Sequence, residues 1–148
     1  MKKMNNKGFS MVELIIVIAI MAILAGALAP TLIKYVNKSR KSSDVSNAQQ
    51  VASAFQTAYS DPSSNGSLSS LSSGTYSVNT LKSVANGFGS NFAEVIGSFD
   101  GSVKYTKDGA SCILVDYNPT TNKIIVKTGG QGNGAGKELY PNVDADYE

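Results

Sequence analysis

From Leu14 to Ile33 the chain runs twenty residues without one formal charge. At about 1.5 Å of helical rise per residue, such a run spans roughly 30 Å, the thickness of a bilayer's hydrocarbon core. No polar stripe interrupts it, which argues against an amphipathic core helix of a soluble protein. A single carboxylate, Glu13, stands at its entrance, and Gly8 and the lysines Lys2, Lys3 and Lys7 lie just upstream. A carboxylate at the edge of a membrane segment is expensive and tends to be kept for a partner. Whatever else this chain does, it has to answer for that stretch.

Two ordinary readings compete for it. A secretory signal offers a positive n-region, an apolar h-region and a small-x-small site at Ala27-Leu28-Ala29. Its h-region would normally be about 7–15 residues, however, and here the run is longer, opens on a glutamate and would leave Pro30 directly after the cut. A plain single-pass anchor, with Glu13 snorkelling to the interface, accounts for the length. It leaves the spacing of Gly8, Phe9 and Glu13 unexplained.

The stretch Lys7-Gly8-Phe9-Ser10-Met11-Val12-Glu13-Leu14-Ile15-Ile16 resembles the class III signal of type IV pilins and related prepilins. The resemblance covers the first thirty to forty residues and says little about the rest. It implies cleavage by a prepilin peptidase between Gly8 and Phe9, N-methylation of Phe9, and a role for Glu13 in filament assembly. It implies no cofactor and no metal, and makes the chain a building block rather than an enzyme. The implied partners are further copies of the chain in a helical filament, the prepilin peptidase, the pilus platform protein and the assembly ATPase, with the membrane as host before assembly. It also implies a precursor with its N-terminus inside the cell and its head outside. The charge bias alone does not fix that orientation, because Lys34, Lys38, Arg40 and Lys41 follow the apolar run closely.

A physical argument connects the implied cut to Glu13. Cutting after Gly8 exposes a positive amine on Phe9, and a carboxylate that is costly alone in low dielectric is offset by a nearby cation. Pairing Glu13 with the Phe9 amine, its own or a neighbour's, neutralises both. Methylation preserves the amine's charge.

Composition narrows the remaining options. Net charge is +2, and loss of the three leader lysines turns it to −1, so nothing points to a nucleic-acid partner. The chain has no histidine and one cysteine, Cys112, which removes histidine acid–base chemistry and any disulfide within the chain. Many pilins of Gram-negative bacteria close their C-terminal region with a disulfide. This sequence departs from that pattern and is more similar to pilins of Gram-positive bacteria. Cys112 falls in an apolar run and reads as a small core residue.

The expected fold is α+β: a long N-terminal helix whose second half packs on a small antiparallel head sheet of about three strands. The expected division is a leader at 1–8, a membrane-spanning helix at 9–33, an amphipathic continuation at 34–60 and a head at 61–148. Gly26 and Pro30 fall late in the apolar run, and Pro30 is expected to bend or loosen the helix. The resemblance adds that this part of the helix is where a filament gives under load. Val45, Ala48, Ala52, Phe55 and Tyr59 recur at spacings of three and four, which sets them on one helix face. Asp61-Pro62 is a stop, so a helix from Phe9 to Ser60 would reach about 75 Å.

Residues 60–80, rich in serine and anchored by Leu68, Leu71, Tyr76 and Val78, read as a docked surface loop. Thr80 is expected to cap a short helix through Leu81, Val84, Ala85 and Phe88. Asn91 with Glu94 is expected to cap another over Phe92–Ile96. Strands are expected at Ser102–Lys107, Ser111–Tyr117 and Lys123–Thr128, with a tight turn at Asp108-Gly109. The segment from Gly129 to Gly136 reads as a surface loop, a filament contact or an epitope. It has no Gly-Lys-Ser/Thr and no following helix, so it is no phosphate loop. Asp144, Asp146 and Glu148 read as a solvated acidic end, with calcium binding as the sharper option. Secretion pseudopilins are similar in having a C-terminal calcium site.

Three functions remain open at this point. They are a type IV pilus subunit for adhesion, motility or biofilm formation, a pseudopilin of a type II secretion or DNA-uptake system, and a membrane-anchored or secreted binding domain.

Overall fold

The computed structural model describes residues 8–62, 71–85, 87–106, 109–130 and 136–147. The chain divides into two compact units, Met1–Asn37 and Lys38–Glu148. One helix, α1 (Met11–Ser60), belongs partly to each.

In the first unit every described residue from Gly8 to Val36 is exposed. The most apolar eighteen-residue window of α1 has a mean hydropathy of 2.7, and none of it is buried. Side chains such as Ile15, Ile23 and Leu32 stand 58%, 72% and 63% exposed. A surface this apolar and this uncovered is stable in lipid or against other apolar helices, where no water has to be ordered around it. The helix continues through Pro30. Because proline has no N–H, the carbonyl of Gly26 loses its usual partner four residues on. One residue later, Thr31 Oγ1 donates to the carbonyl of Leu28 at 2.7 Å.

The second unit buries the other end of α1. Ala48, Ala52 and Phe55 are buried, as their spacing predicts, while Val45 and Tyr59 are partly buried against the core. Val51, Ala54 and Ala58 widen the stripe. Four buried alanines keep that face flat and leave Phe55 as its one large knob. The Phe55 ring meets Phe88 edge-on at 5.1 Å and Tyr117 at 5.2 Å. Burying one such aromatic contributes roughly 1.5–3 kcal/mol.

Among the described residues the sheet has four strands, against about three expected: β1 (Gly74–Ser77), β2 (Cys112–Asn118), β3 (Lys123–Gly129) and β4 (Glu138–Tyr140), in the order β1-β2-β3-β4 and antiparallel throughout. The β2 and β3 strands lie close to their expected places, paired from Cys112–Gly129 to Asn118–Lys123. Ile113, Val115, Tyr117 and Val126 face the core from them, and Leu139 does so from β4.

Ser102–Lys107 is not the third strand. Its alternation is real, with Val103 and Tyr105 buried and their neighbours exposed, but among the described residues it makes one bridge, between Ser102 and Cys112. The amides of Lys104 and Tyr105 are instead taken by the carboxylate of Asp44 on α1, so they are not available to a ladder. Lys107 and Asp108, and with them the expected turn, lie outside the described residues. The place beside β2 is filled by β1, which falls inside the stretch expected to be loop. Leu68 is outside the described residues, while Leu71 and Val78 are buried.

Two caps also differ from expectation. The helix α2 (Val78–Lys82) is capped by Ser77, whose side chain accepts from the amide of Thr80; Thr80 therefore lies inside the helix. The helix α3 (Phe88–Ile96) begins earlier than expected, behind Gly87 at φ 93°, with no side-chain cap. Its first turn is set by a close approach: a Cβ on Gly89 would meet the carbonyl of Val84 at 2.3 Å.

The C-terminal stretch is more than a solvated end. It contributes β4 and the short 3₁₀ turn Ala145–Tyr147, whose Tyr147 is buried. Lys137 holds Asp144 at 3.7 Å and Asp146 at 2.5 Å. That contact keeps the Asp146 carboxyl below its ordinary value. From α1, Lys41 lies over the rings of Tyr105 and Tyr147 at 4.9 and 5.8 Å and donates to the backbone carbonyl of Asp146. Residues 131–135 of the glycine-rich segment and Glu148 are outside the described residues. Gly129, at its start, is buried at the end of β3. Cys112 is half-buried, and its sulfur lies 3.4 Å from the Gly129 carbonyl.

Candidate functional site

The start of α1 is where the sequence concentrates its unusual residues, and the local chemistry there is a helix cap. The first amides of a helix have no intrahelical acceptor. Ser10 Oγ accepts from the amide of Val12 at 3.3 Å, and Glu13 Oε2 reaches back to accept from the amide of Ser10 at 2.8 Å. The ladder then begins with Leu14 N–H donating to the Ser10 carbonyl at 3.2 Å. In lipid these capping bonds matter more than in water, because no solvent replaces them.

The same geometry addresses the electrostatic burden of Glu13. Its carboxylate sits in the first turn, where the helix dipole favours negative charge, and it already holds one amide. It is turned toward the chain's N-terminal side, at the amide next to Phe9. Phe9 is 91% exposed, and Gly8 has no atom within 4 Å of where a Cβ would stand.

Glu13 thus reaches back to Ser10, the residue after Phe9, while Gly8 and Phe9 precede the helix. Gly26 and Pro30 lie further along α1 and take no part in that cluster. Sequence reasoning missed Ser10. Its signal was present, since serine followed three residues later by glutamate, directly before an apolar run, is the capping-box pattern.

The second unit offers little to compete with this site. A shallow groove of about 150 Å³ lies between Gln56, Tyr59, Tyr117, Asn122 and Ile124. Tyr59 donates its hydroxyl across it to Asn122 Oδ1 at 2.9 Å. Burial, and after it the neighbouring Tyr59, pushes Tyr117 up to about 12. A tyrosine held neutral this way packs; it does not transfer protons at ordinary pH. Among the described residues no three His, Cys, Asp or Glu side chains gather as a metal site.

Comparison with known proteins agrees with the geometry. The prokaryotic N-terminal methylation motif matches residues 3–29. Neither a curated protein nor a solved structure matches the chain significantly. The chain carries the class III signal of type IV pilins, joined to a long apolar helix and an α+β head. The motif supports a pilin-like or pseudopilin-like precursor, and it implies processing by a prepilin peptidase and assembly into a pilus-type polymer.

Proposed function

We propose that this chain is the structural subunit of a type IV pilus. Its precursor sits in the cytoplasmic membrane with the N-terminus inside and the head outside. It is cut between Gly8 and Phe9, methylated on Phe9, and polymerised into an extracellular filament serving adhesion, motility or biofilm formation. The platform protein and assembly ATPase would drive that polymerisation. The protein is a building block and does no catalysis of its own. The observation that carries this reading is the wholly uncovered apolar segment of α1 behind its Ser10–Glu13 cap: in a membrane lipid covers it, and in a filament other copies do.

Glu13 gives the filament its register. Held back toward the amide of Ser10, its carboxylate stands one residue from the amine that cleavage creates on Phe9. Pairing the two removes two charges from low dielectric together. The Gly26–Pro30 segment, with one ladder bond missing, is where α1 yields under load. Among pilin-like alternatives, a secretion pseudopilin with a C-terminal calcium site is less well supported. Lys137 already contacts both Asp144 and Asp146, so part of their charge is met within the chain.

The test is the N-terminus of the protein taken from cells, read by intact mass and N-terminal peptide sequencing. N-methyl-Phe9 as first residue is the expected result. A chain starting at Met1 would leave a plain anchor, and one starting at Pro30 a secreted domain. Either would overturn the reading.

A further inference from the structure

The groove between the end of α1 and the sheet is built within the compact unit Lys38–Glu148 alone. Its walls are the rings of Tyr59 and Tyr117, set edge to face at 6.0 Å, together with Ile124. Two exposed amides stand at its rim. Asn122 Oδ1 accepts the Tyr59 hydroxyl at 2.9 Å, and Gln56 Nε2 donates to the Tyr140 hydroxyl at 3.3 Å. Each amide thus spends one of its two ends on a tyrosine. The Asn122 amino group and the Gln56 Oε1 atom have no partner among the described residues, which leaves one donor and one acceptor, each oriented by the bond at its other end.

Size and charge say what such a groove takes. Its volume of about 150 Å³ is room for one ring. That equals roughly five waters at about 30 Å³ each and falls below the ~300–1,000 Å³ of sites for larger ligands. A wider hollow opens beside it, shares Gln56 and Ser60 with it, and continues over Ser53, Thr57 and Asp61. Among the described residues no lysine or arginine lines either hollow, so a phosphate or carboxylate would enter without a counter-charge. An uncharged ligand with an apolar face and several hydroxyls meets no such cost.

We propose that this groove binds a neutral carbohydrate, with one pyranose ring seated against Tyr59 and Tyr117. The polarised C–H bonds of a sugar ring suit the negative face of an aromatic ring. Each of its hydroxyls both donates and accepts, which matches the Asn122 donor and the Gln56 acceptor at the rim. The adjoining hollow, with the hydroxyls of Ser53, Thr57 and Ser60, takes the next ring of the chain. The head itself thereby carries a glycan-binding site, and the proposal does not depend on the pilus reading, which the N-terminus tests separately.

The test is saturation-transfer difference NMR on the full-length protein in an amine-oxide detergent, which has no sugar head, with empty micelles as the blank. The probes are the methyl glycosides of glucose, galactose, mannose and N-acetylglucosamine, with glycerol as a simple polyol. Transfer to at least one glycoside and none to glycerol is expected, with a dissociation constant on the order of millimolar for a ligand this small. Asn122→Asp removes the donor, keeps an acceptor for Tyr59 and suits the φ of 49° at this position. Gln56→Ala removes the acceptor at an exposed helical position. Each should weaken binding about fivefold or more, the worth of one hydrogen bond, with the near-ultraviolet circular dichroism of the head unchanged. Transfer from the parent protein to none of the four glycosides would overturn the proposal without any variant. So would equal transfer to glycerol, or an affinity that either substitution leaves unchanged.

Discussion

Asp44, fully buried on α1, accepts the backbone amide of Tyr105 through Oδ2 at 2.8 Å, and its Oδ1 accepts the neighbouring amide of Lys104 at 2.7 Å. One side chain does for residues 103–105 what a neighbouring strand does elsewhere in the sheet. It also ties the middle of the head to the helix that carries the head.

Replacing Asp44 with alanine leaves two amides without an acceptor and should destabilise the head by roughly 2–4 kcal/mol. Asp44→Asn keeps one acceptor oxygen and should lose about half as much. Urea unfolding of the full chain in detergent, followed by tyrosine fluorescence, reads both. An unchanged midpoint for Asp44→Ala would mean the segment is held some other way.

Charge and capping at Glu13 separate with two substitutions. Glu13→Gln keeps a side-chain acceptor for the Ser10 amide and removes the charge; Glu13→Ala removes both. If pairing with the Phe9 amine drives assembly, both should cut filament counts by more than tenfold, the factor that about 1.4 kcal/mol per contact supplies. Electron microscopy of sheared surface fractions gives the counts. Filaments restored by glutamine would reduce Glu13 to a helix cap.

Among the described residues no atom lies within 4 Å of where a Gly8 side chain would begin. Gly8→Val should therefore leave the helix and head intact and still block processing, because the peptidase must approach the backbone there. Intact mass would show the uncut chain in the membrane fraction. Recovery of chains starting at Phe9 from this variant would move the cleavage site.

Tyr117 holds its proton up to about pH 12 in the folded head, against an ordinary value of 10.0, mainly through burial and secondarily through Tyr59. In the unfolded chain it ionises near 10, so the stability from keeping it neutral is complete below that pH. It is lost as pH rises from about 10 toward 12. Tyrosinate absorbance against pH should show a late step from Tyr117 that coincides with unfolding. Tyr117→Phe should remove that late step. A titration unchanged by Tyr117→Phe, with the fold intact throughout, would contradict the burial of Tyr117.

The sequence was most legible where one physical constraint acted alone. Twenty uncharged residues admit few structures, and the stripe from Val45 to Tyr59 is read directly from helical spacing. β2 and β3 announce themselves as apolar runs around the turn at Pro119–Asn122. Elsewhere two constraints competed. Val103 and Tyr105 alternate as a strand does, because alternation reports burial, while the partner of the backbone amides came from Asp44, sixty residues away. That aspartate occupies the same helical face, one turn before Ala48, so a charged residue on an apolar stripe was the available sign. β1 and β4 are four and three residues long. They are too short for any periodicity and exist because longer neighbours offered an edge. Ser10 was overlooked because Glu13 was read for its charge alone and not for its reach to the backbone.

The tie between Lys41 and Asp146 spans 105 positions of sequence. It joins the first helix to a turn that follows the whole sheet. A chain emerging N-terminus first offers the Ala48–Ala58 stripe long before β2, β3 and β4 exist to cover it, and loop closure across such separations is slow. Until the residues around Asp146 arrive, the head has a core helix and an unfinished cover. Losing Ala145–Tyr147 therefore removes the step that closes the head rather than one contact.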